Sequence, residues 1–164
     1  MPLISQPETV AAIYQQAANR DLCLANFCTA NRYTTEAILR AAYEFGQERG
    51  LRAVPIVVSV TGNYPIEAQL ASYTHLKDAS IGIKALVDDV TLLTSPDSPY
   101  ADLQVMLHLD HGQPERDEAL FEYAVGKFAT IMYDASDWPL AQNIAMTRQF
   151  VERMQGRALV EGAV

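Results

Sequence analysis

Cationic side chains are scarce in this sequence. Twelve Lys and Arg stand against twenty Asp and Glu in 164 residues, a formal net charge of −8. That balance argues against a nucleic-acid partner, because phosphate neutralisation needs clustered cations. Long apolar runs are lacking as well. No stretch approaches the roughly 18 apolar residues that a membrane-spanning helix needs, so no membrane association is expected. The start, Met1-Pro2-Leu3-Ile4-Ser5, has neither a charged segment nor the apolar core of a secretory signal. Only two cysteines occur, Cys23 and Cys28, five apart on what reads as one strand. That geometry disfavours a disulfide, and without a CxxC spacing the pair makes no zinc site. Both read as core thiols with no activating base nearby, and a cytoplasmic location fits them.

What is present is apolar residue in quantity, 49% of the chain. That is enough for one domain with a real core and too little for two large ones, so a single domain over residues 1–164 is expected. Ser5-Gln6-Pro7-Glu8 has the form of a capping box, with Val10, Ile13, Tyr14 and Ala17 following at helical spacing. Leu22–Cys28 reads as a first strand. Thr34 or Thr35 is expected to cap a helix with Ile38, Ala41, Ala42 and Phe45 on one side and Gly50 as its stop. Val54–Val60 is a continuous β-branched strand, as expected when both faces are buried. Helices are expected over about Ile66–Lys77 and Ser80–Leu93, and His75 is placed on a polar helix face. Pro114 falls in the first turn of a helix running to Val125. Thr130–Tyr133 forms a fourth strand. Pro139 opens a helix with Ile144, Phe150 and Val151 on its apolar side, and Ala158–Glu161 begins a fifth strand.

Repeated βα units with buried strands call for a parallel sheet. Periodicity alone leaves open whether it is a barrel or a doubly wound sheet, although no GxGxxG follows the first strand. Polar residues gather after strands: Asn31, Thr61, Asp110, His111, Asp134 and Ser136.

The organising stretch is Val105-Met106-Leu107-His108-Leu109-Asp110-His111-Gly112, an apolar strand that runs into an Asp-His pair. Alternation puts Leu107, Leu109 and His111 on one face and His108 and Asp110 on the other. At the strand end Gly112 is expected to relax that alternation, letting Asp110 and His111 reach one pocket. His108 reads as a buried strand histidine with a backbone partner, and Asp88-Asp89 as a solvated helix face. Trp138 either lines a pocket or packs.

The chain resembles the N-terminal part of the class II, metal-dependent fructose- and tagatose-bisphosphate aldolases. The resemblance rests on Met1-Pro2-Leu3, Asn26-Phe27 with Asn31, Leu107–Gly112, Met132-Tyr133-Asp134-Ala135-Ser136, Asn143 and Val160-Glu161. It implies a (β/α)₈ TIM-type barrel of which this chain is about the first five strands. It implies zinc-dependent, reversible aldol cleavage of a phosphorylated ketose. By the same resemblance His111 is a zinc ligand, and Asp110 is the acid/base group acting on a substrate hydroxyl. Asp134 lies at an alternative metal position, and Thr61 and Asn31 meet substrate. For that work Asp110 would have its pKa lifted by a dry site. Cys28 and Ala30 depart from common asparagines, and Ala163 from a glutamate. The family's other zinc-binding histidines, its proton-abstracting glutamate and its phosphate loops follow the fifth strand. Two classes of function are therefore expected: an aldolase competent only with the rest of its barrel, or a non-catalytic binding or scaffold module of aldolase descent. Open sheet edges predict a homo-oligomer or a covering C-terminal half.

Overall fold

A computed structural model describes residues 3–163. Met1 and Pro2, two of the residues that carry the resemblance, lie outside the described residues. The elements follow as α1 (Pro7–Ala18), β1 (Asn26–Cys28), α2 (Arg32–Arg49), β2 (Pro55–Thr61), α3 (Gln69–Tyr73) and α4 (Ala79–Leu93). Then come β3 (Gln104–Gly112), α5 (Glu118–Ala124), β4 (Thr130–Tyr133), α6 (Leu140–Met154) and β5 (Leu159–Gly162). One parallel sheet holds the strands in the order β1-β2-β3-β4-β5. Each strand lies beside its successor, as in a barrel wall, whereas a doubly wound sheet reverses its order at a switch point.

The strands alternate as their sequences dictate. Ile56, Val58 and Val60 of β2, Val105, Leu107 and Leu109 of β3, and Ile131 of β4 point outward. They form the main core with Leu39 of α2, Ile83 and Leu86 of α4, Phe121 of α5 and Phe150 of α6. On the other face Val57, Met106 and Ala129 make a smaller core with Val10, so α1 covers one end of the concave face. Beyond that plug the concave positions of β2 and β3 are polar, Ser59, Thr61, His108 and Asp110, joined by Thr130 of β4. One set of strands therefore carries an apolar face for folding and a polar face for chemistry.

Several local expectations are corrected. β1 comprises only Asn26–Cys28, not Leu22–Cys28, because it is an edge strand paired with β2 alone; all three residues are exposed. Cys23 and Cys28 are free and exposed rather than core thiols. Ser5 does not cap α1. The cap position is Gln6, without a side-chain bond, and the Ser5 hydroxyl donates to the Gly126 carbonyl instead. Asn31 caps α2 by accepting from the Thr34 N–H at 3.0 Å, so Thr34 supplies the donor. The buried face of α2 is Thr35, Leu39, Ala42 and Gly46, leaving Phe45 exposed. Gly50 ends the helix at φ 64°, as expected.

The expected helix over Ile66–Lys77 shrinks to α3, and His75 lies in the turn after it. Pro114 sits in a turn before α5, which starts only at Glu118. In α6 the buried residues are Asn143, Phe150 and Met154, while Ile144 and Val151 are exposed. Trp138 packs against the main core. Of the Asp88-Asp89 pair, Asp88 is exposed as expected, whereas Asp89 is partly buried: it accepts from the Tyr73 hydroxyl at 3.0 Å and lies 3.6 Å from Arg32. Burial of Tyr73 raises its pKa.

Candidate active site at the C-terminal rim of the sheet

β3 carries Asp110 and His111 to the rim, where the ladder to β4 shifts register between Leu109 and Gly112. His111 takes φ 47°, the left-handed region. Strict alternation would send its side chain outward with Leu109, and this local reversal keeps it on the rim instead. The expected relaxation therefore occurs, but at His111 and not at Gly112. Gly112 has another task. A Cβ there would lie 2.4 Å from the Phe121 ring and 2.8 Å from the Met132 carbonyl, so only glycine lets β3, β4 and α5 approach so closely. The left-handed imidazole residue costs about 1 kcal/mol or more and needs compensation from its surroundings.

Asp134, at the end of β4, supplies part of it. The His111 Nδ1 lies 2.6 Å from Asp134 Oδ2. The other Asp134 oxygen accepts from the Ser136 N–H at 3.0 Å and the Ser136 hydroxyl at 2.6 Å. Burial pushes the Asp134 carboxyl up, but the bonds from Ser136 and His111 outweigh it and hold the group below its ordinary range. With Nδ1 engaged, His111 offers Nε2, which lies 4.0 Å from Asp110 Oδ1.

Asp110 is not the lifted carboxyl that its sequence setting suggests. The imidazole of His108, 3.7 Å away, holds its pKa below the ordinary value against the opposing effect of burial. His108 in turn has a side-chain partner rather than a backbone one, with Nδ1 2.6 Å from the Thr130 hydroxyl. Its Nε2 also stands 4.0 Å from Glu161 on β5.

Thr61 is registered against Asp110 across β2 and β3. Its hydroxyl is occupied within its own loop: it donates to the Glu67 carbonyl and accepts from the Gln69 N–H at 3.0 Å. Asn31 stands at the end of the first βα loop, with its side-chain Oδ1 accepting from the Thr34 N–H and hydroxyl. The structure thus brings Asp110, His111 and Asp134 together, sets Thr61 beside Asp110, and keeps Asn31 in a capping role.

Sequence reasoning missed two participants. The Tyr64 ring stacks on the His111 imidazole with centroids 4.5 Å apart and planes within 15°. Asp117 is fully buried and binds the loop that carries Tyr64. Tyr64 follows a strand as the other rim residues do, and that position was its available signal. Nothing local marks Asp117.

A structural zinc site is closed by four ligands, and a catalytic one needs about three from the protein plus an open position. Among the described residues no group of three or more His, Cys, Asp or Glu side chains is placed to hold a metal ion. His111 has the form of one arm of such a site, an imidazole turned by a carboxylate on its far nitrogen. Both Asp134 oxygens are already committed, to His111 and to Ser136. The donor set fits one ligand and not a complete zinc site.

Comparison with known proteins gives a consistent result. The sequence profile of the family described as fructose-bisphosphate aldolase class-II matches residues 8–162. A 6-phospho-5-dehydro-2-deoxy-D-gluconate aldolase from Bacillus licheniformis is 28% identical over 141 residues, covering 85% of this chain and 40% of that protein. The crystal structure of a fructose-bisphosphate aldolase from Campylobacter jejuni is similar with a TM-score of 0.69 at 18% identity, over 98% of this chain and 47% of that one. The YdjI aldolase from Escherichia coli K12 gives 0.60 at 20% identity, over 90% and 48%. At these identities the two solved structures speak for the fold alone: five parallel strands of a TIM-type barrel. The chain spans less than half the length of each of these relatives.

Proposed function

The chain belongs to the class II fructose-bisphosphate aldolase family, and from that premise we propose that it is a single-domain, N-terminal portion of a zinc-dependent aldolase barrel. In this reading the barrel cleaves a phosphorylated ketose reversibly. The observation that carries the reading is the meeting of β3 and β4 at one rim, where Asp134 orients His111 beside Asp110. Zinc, when bound, supplies a Lewis acid for the substrate carbonyl, and His111 would be one of its ligands. Asp134 serves as the orienting carboxylate or at an alternative metal position.

The remaining chemistry is argued from the chain's own groups. A retro-aldol step removes a proton from a hydroxyl, breaks the adjacent carbon–carbon bond and leaves the electron pair on the carbonyl side. Asp110, kept ionised by His108, is in the form that accepts that proton, and it returns a proton in the synthetic direction. Thr61 would meet substrate only by exchanging the loop bonds it now holds, whereas Asn31 would offer its side-chain NH2 while its Oδ1 caps α2. A net charge of −8 repels a bisphosphate, so the phosphate anchors are placed in the part of the barrel beyond these strands. Open edges at β1 and β5 favour pairing with that part or with another copy. Exposed free thiols suit a cytoplasmic location. No described helix is long and apolar enough to cross a membrane.

A second reading, a non-catalytic module of aldolase descent, draws on the incomplete donor set and on Ala163 in place of a glutamate. The test is a coupled aldol-cleavage assay with zinc. The 164-residue chain by itself is expected to show no turnover. A chimera carrying this chain in place of the matching part of the Campylobacter jejuni aldolase is expected to turn over and to lose activity in His111→Ala. A folded, zinc-loaded chimera without turnover would favour the non-catalytic reading.

A further inference from the structure

Asp117 occupies the cap position of α5 and yet makes no side-chain bond to that helix. Its carboxylate is fully buried and is spent entirely on two loops. Oδ1 accepts from the Asn63 backbone N–H at 2.9 Å and from the Asn63 side-chain amide at 2.7 Å. Oδ2 accepts from the Gln113 N–H at 2.9 Å. These loops follow β2 and β3 respectively, so one side chain ties the two βα connections that flank the rim. The fit is close: a Cβ on Gly62 would stand 2.7 Å from both carboxylate oxygens. A buried carboxylate with three N–H partners is expensive to unmake, since removing it strands those donors.

The tie has a consequence at His111. Asn63 is followed directly by Tyr64, whose ring lies flat on the His111 imidazole. Gln113, held by the same carboxylate, donates its side-chain amide to the His111 carbonyl at 3.0 Å. One face of the imidazole is thus covered by Tyr64, its Nδ1 is taken by Asp134, and its backbone is held by Gln113. We infer that Asp117 is a positioning residue that seats Tyr64 on one face of the His111 imidazole through Asn63, fixing the ring plane while Asp134 at Nδ1 leaves Nε2 as the nitrogen that a ligand meets. The functional value of that constraint rests on the reading of His111 as a ligand; the constraint itself does not.

Proton NMR of the 164-residue chain tests it without zinc or substrate. The His111 ring protons should be displaced upfield by the Tyr64 ring, relative to His75 in its exposed turn. Tyr64→Phe should keep that displacement and Tyr64→Leu should abolish it. Gly62→Ala and Asp117→Asn should also abolish it, and Asn63→Ala, which keeps the backbone bond to Asp117, should reduce it. His108, on the same strand, should stay in place throughout. If Asp117→Asn fails to fold, Gly62→Ala and Asn63→Ala decide the matter. Folded variants that retain the full His111 displacement would overturn the inference, and so would an equal movement of His108. Failure of the aldolase reading registers separately, as an inactive zinc-loaded chimera whose His111 displacement is intact.

Discussion

The two faces of the sheet are built from alternate residues of the same strands and do opposite work. On the convex face Val58, Val60, Val105, Leu107 and Leu109 are fully buried against helices. One residue away along the same backbone stand Ser59, Thr61, His108 and Asp110. The convex side chains need only be apolar and of the right volume, and each contributes burial of about 1.5–3 kcal/mol. Those at the rim are fixed by specific partners: His108 by Thr130, His111 by Asp134, Thr61 by the 67–69 loop. Beyond the α1 plug, stability and chemistry therefore divide by residue parity, with His111, turned onto the rim by its left-handed φ, as the exception, and substitutions should divide accordingly.

The largest effect is expected on the convex side. Leu107→Ala, at a site with no exposure, should lower unfolding free energy by about 2–5 kcal/mol in urea titration. A loss under about 1 kcal/mol would mean that this face is not the core. Gly112→Ala probes the seam between the faces. Its new methyl group meets Phe121 and the Met132 carbonyl, and the expected cost is about 1–3 kcal/mol, visible as a lower thermal midpoint. On the concave rim Asp134→Ala removes the partner of a strained histidine. A charge-assisted bond of this kind is worth about 1.5–3 kcal/mol when buried, and His111's partial exposure puts the expected loss at the low end.

Much of this division was legible beforehand. The alternation of Leu107, His108, Leu109 and Asp110 marked the two faces of β3, and Gly50 marked the end of α2. What stayed hidden depended on partners distant in sequence. That β1 would be a short, exposed edge depends on which strands lie beside it. That His108 would bind Thr130 depends on the β3–β4 register. The relaxation of alternation expected at Gly112 takes place at His111, in a left-handed φ that glycine more usually bears. The cap on α2, expected of Thr34 or Thr35, falls on Asn31, because Asn and Thr are both competent capping types and the loop geometry chooses between them.

Smaller effects sharpen the comparison. Asn31→Ala should cost about 1 kcal/mol as a lost cap, read by chemical denaturation, wherever its side chain stands relative to substrate. Asp110→Asn should change stability near neutral pH by less still, but should alter the acid side of the profile. A carboxyl held below its ordinary 3.8 in the folded state stabilises the fold above that value. That contribution is lost as pH falls through the folded value, so the variant's thermal midpoint should decline less than the wild type's below about pH 4.

The most direct test of the concave face as the seat of chemistry is Asp110→Asn in the zinc-loaded chimera, with turnover and stability measured on the same preparation. The account predicts a loss of about 10²–10⁴-fold in aldol cleavage with only a small change in thermal midpoint. Turnover within a few-fold of the parent chimera would contradict it.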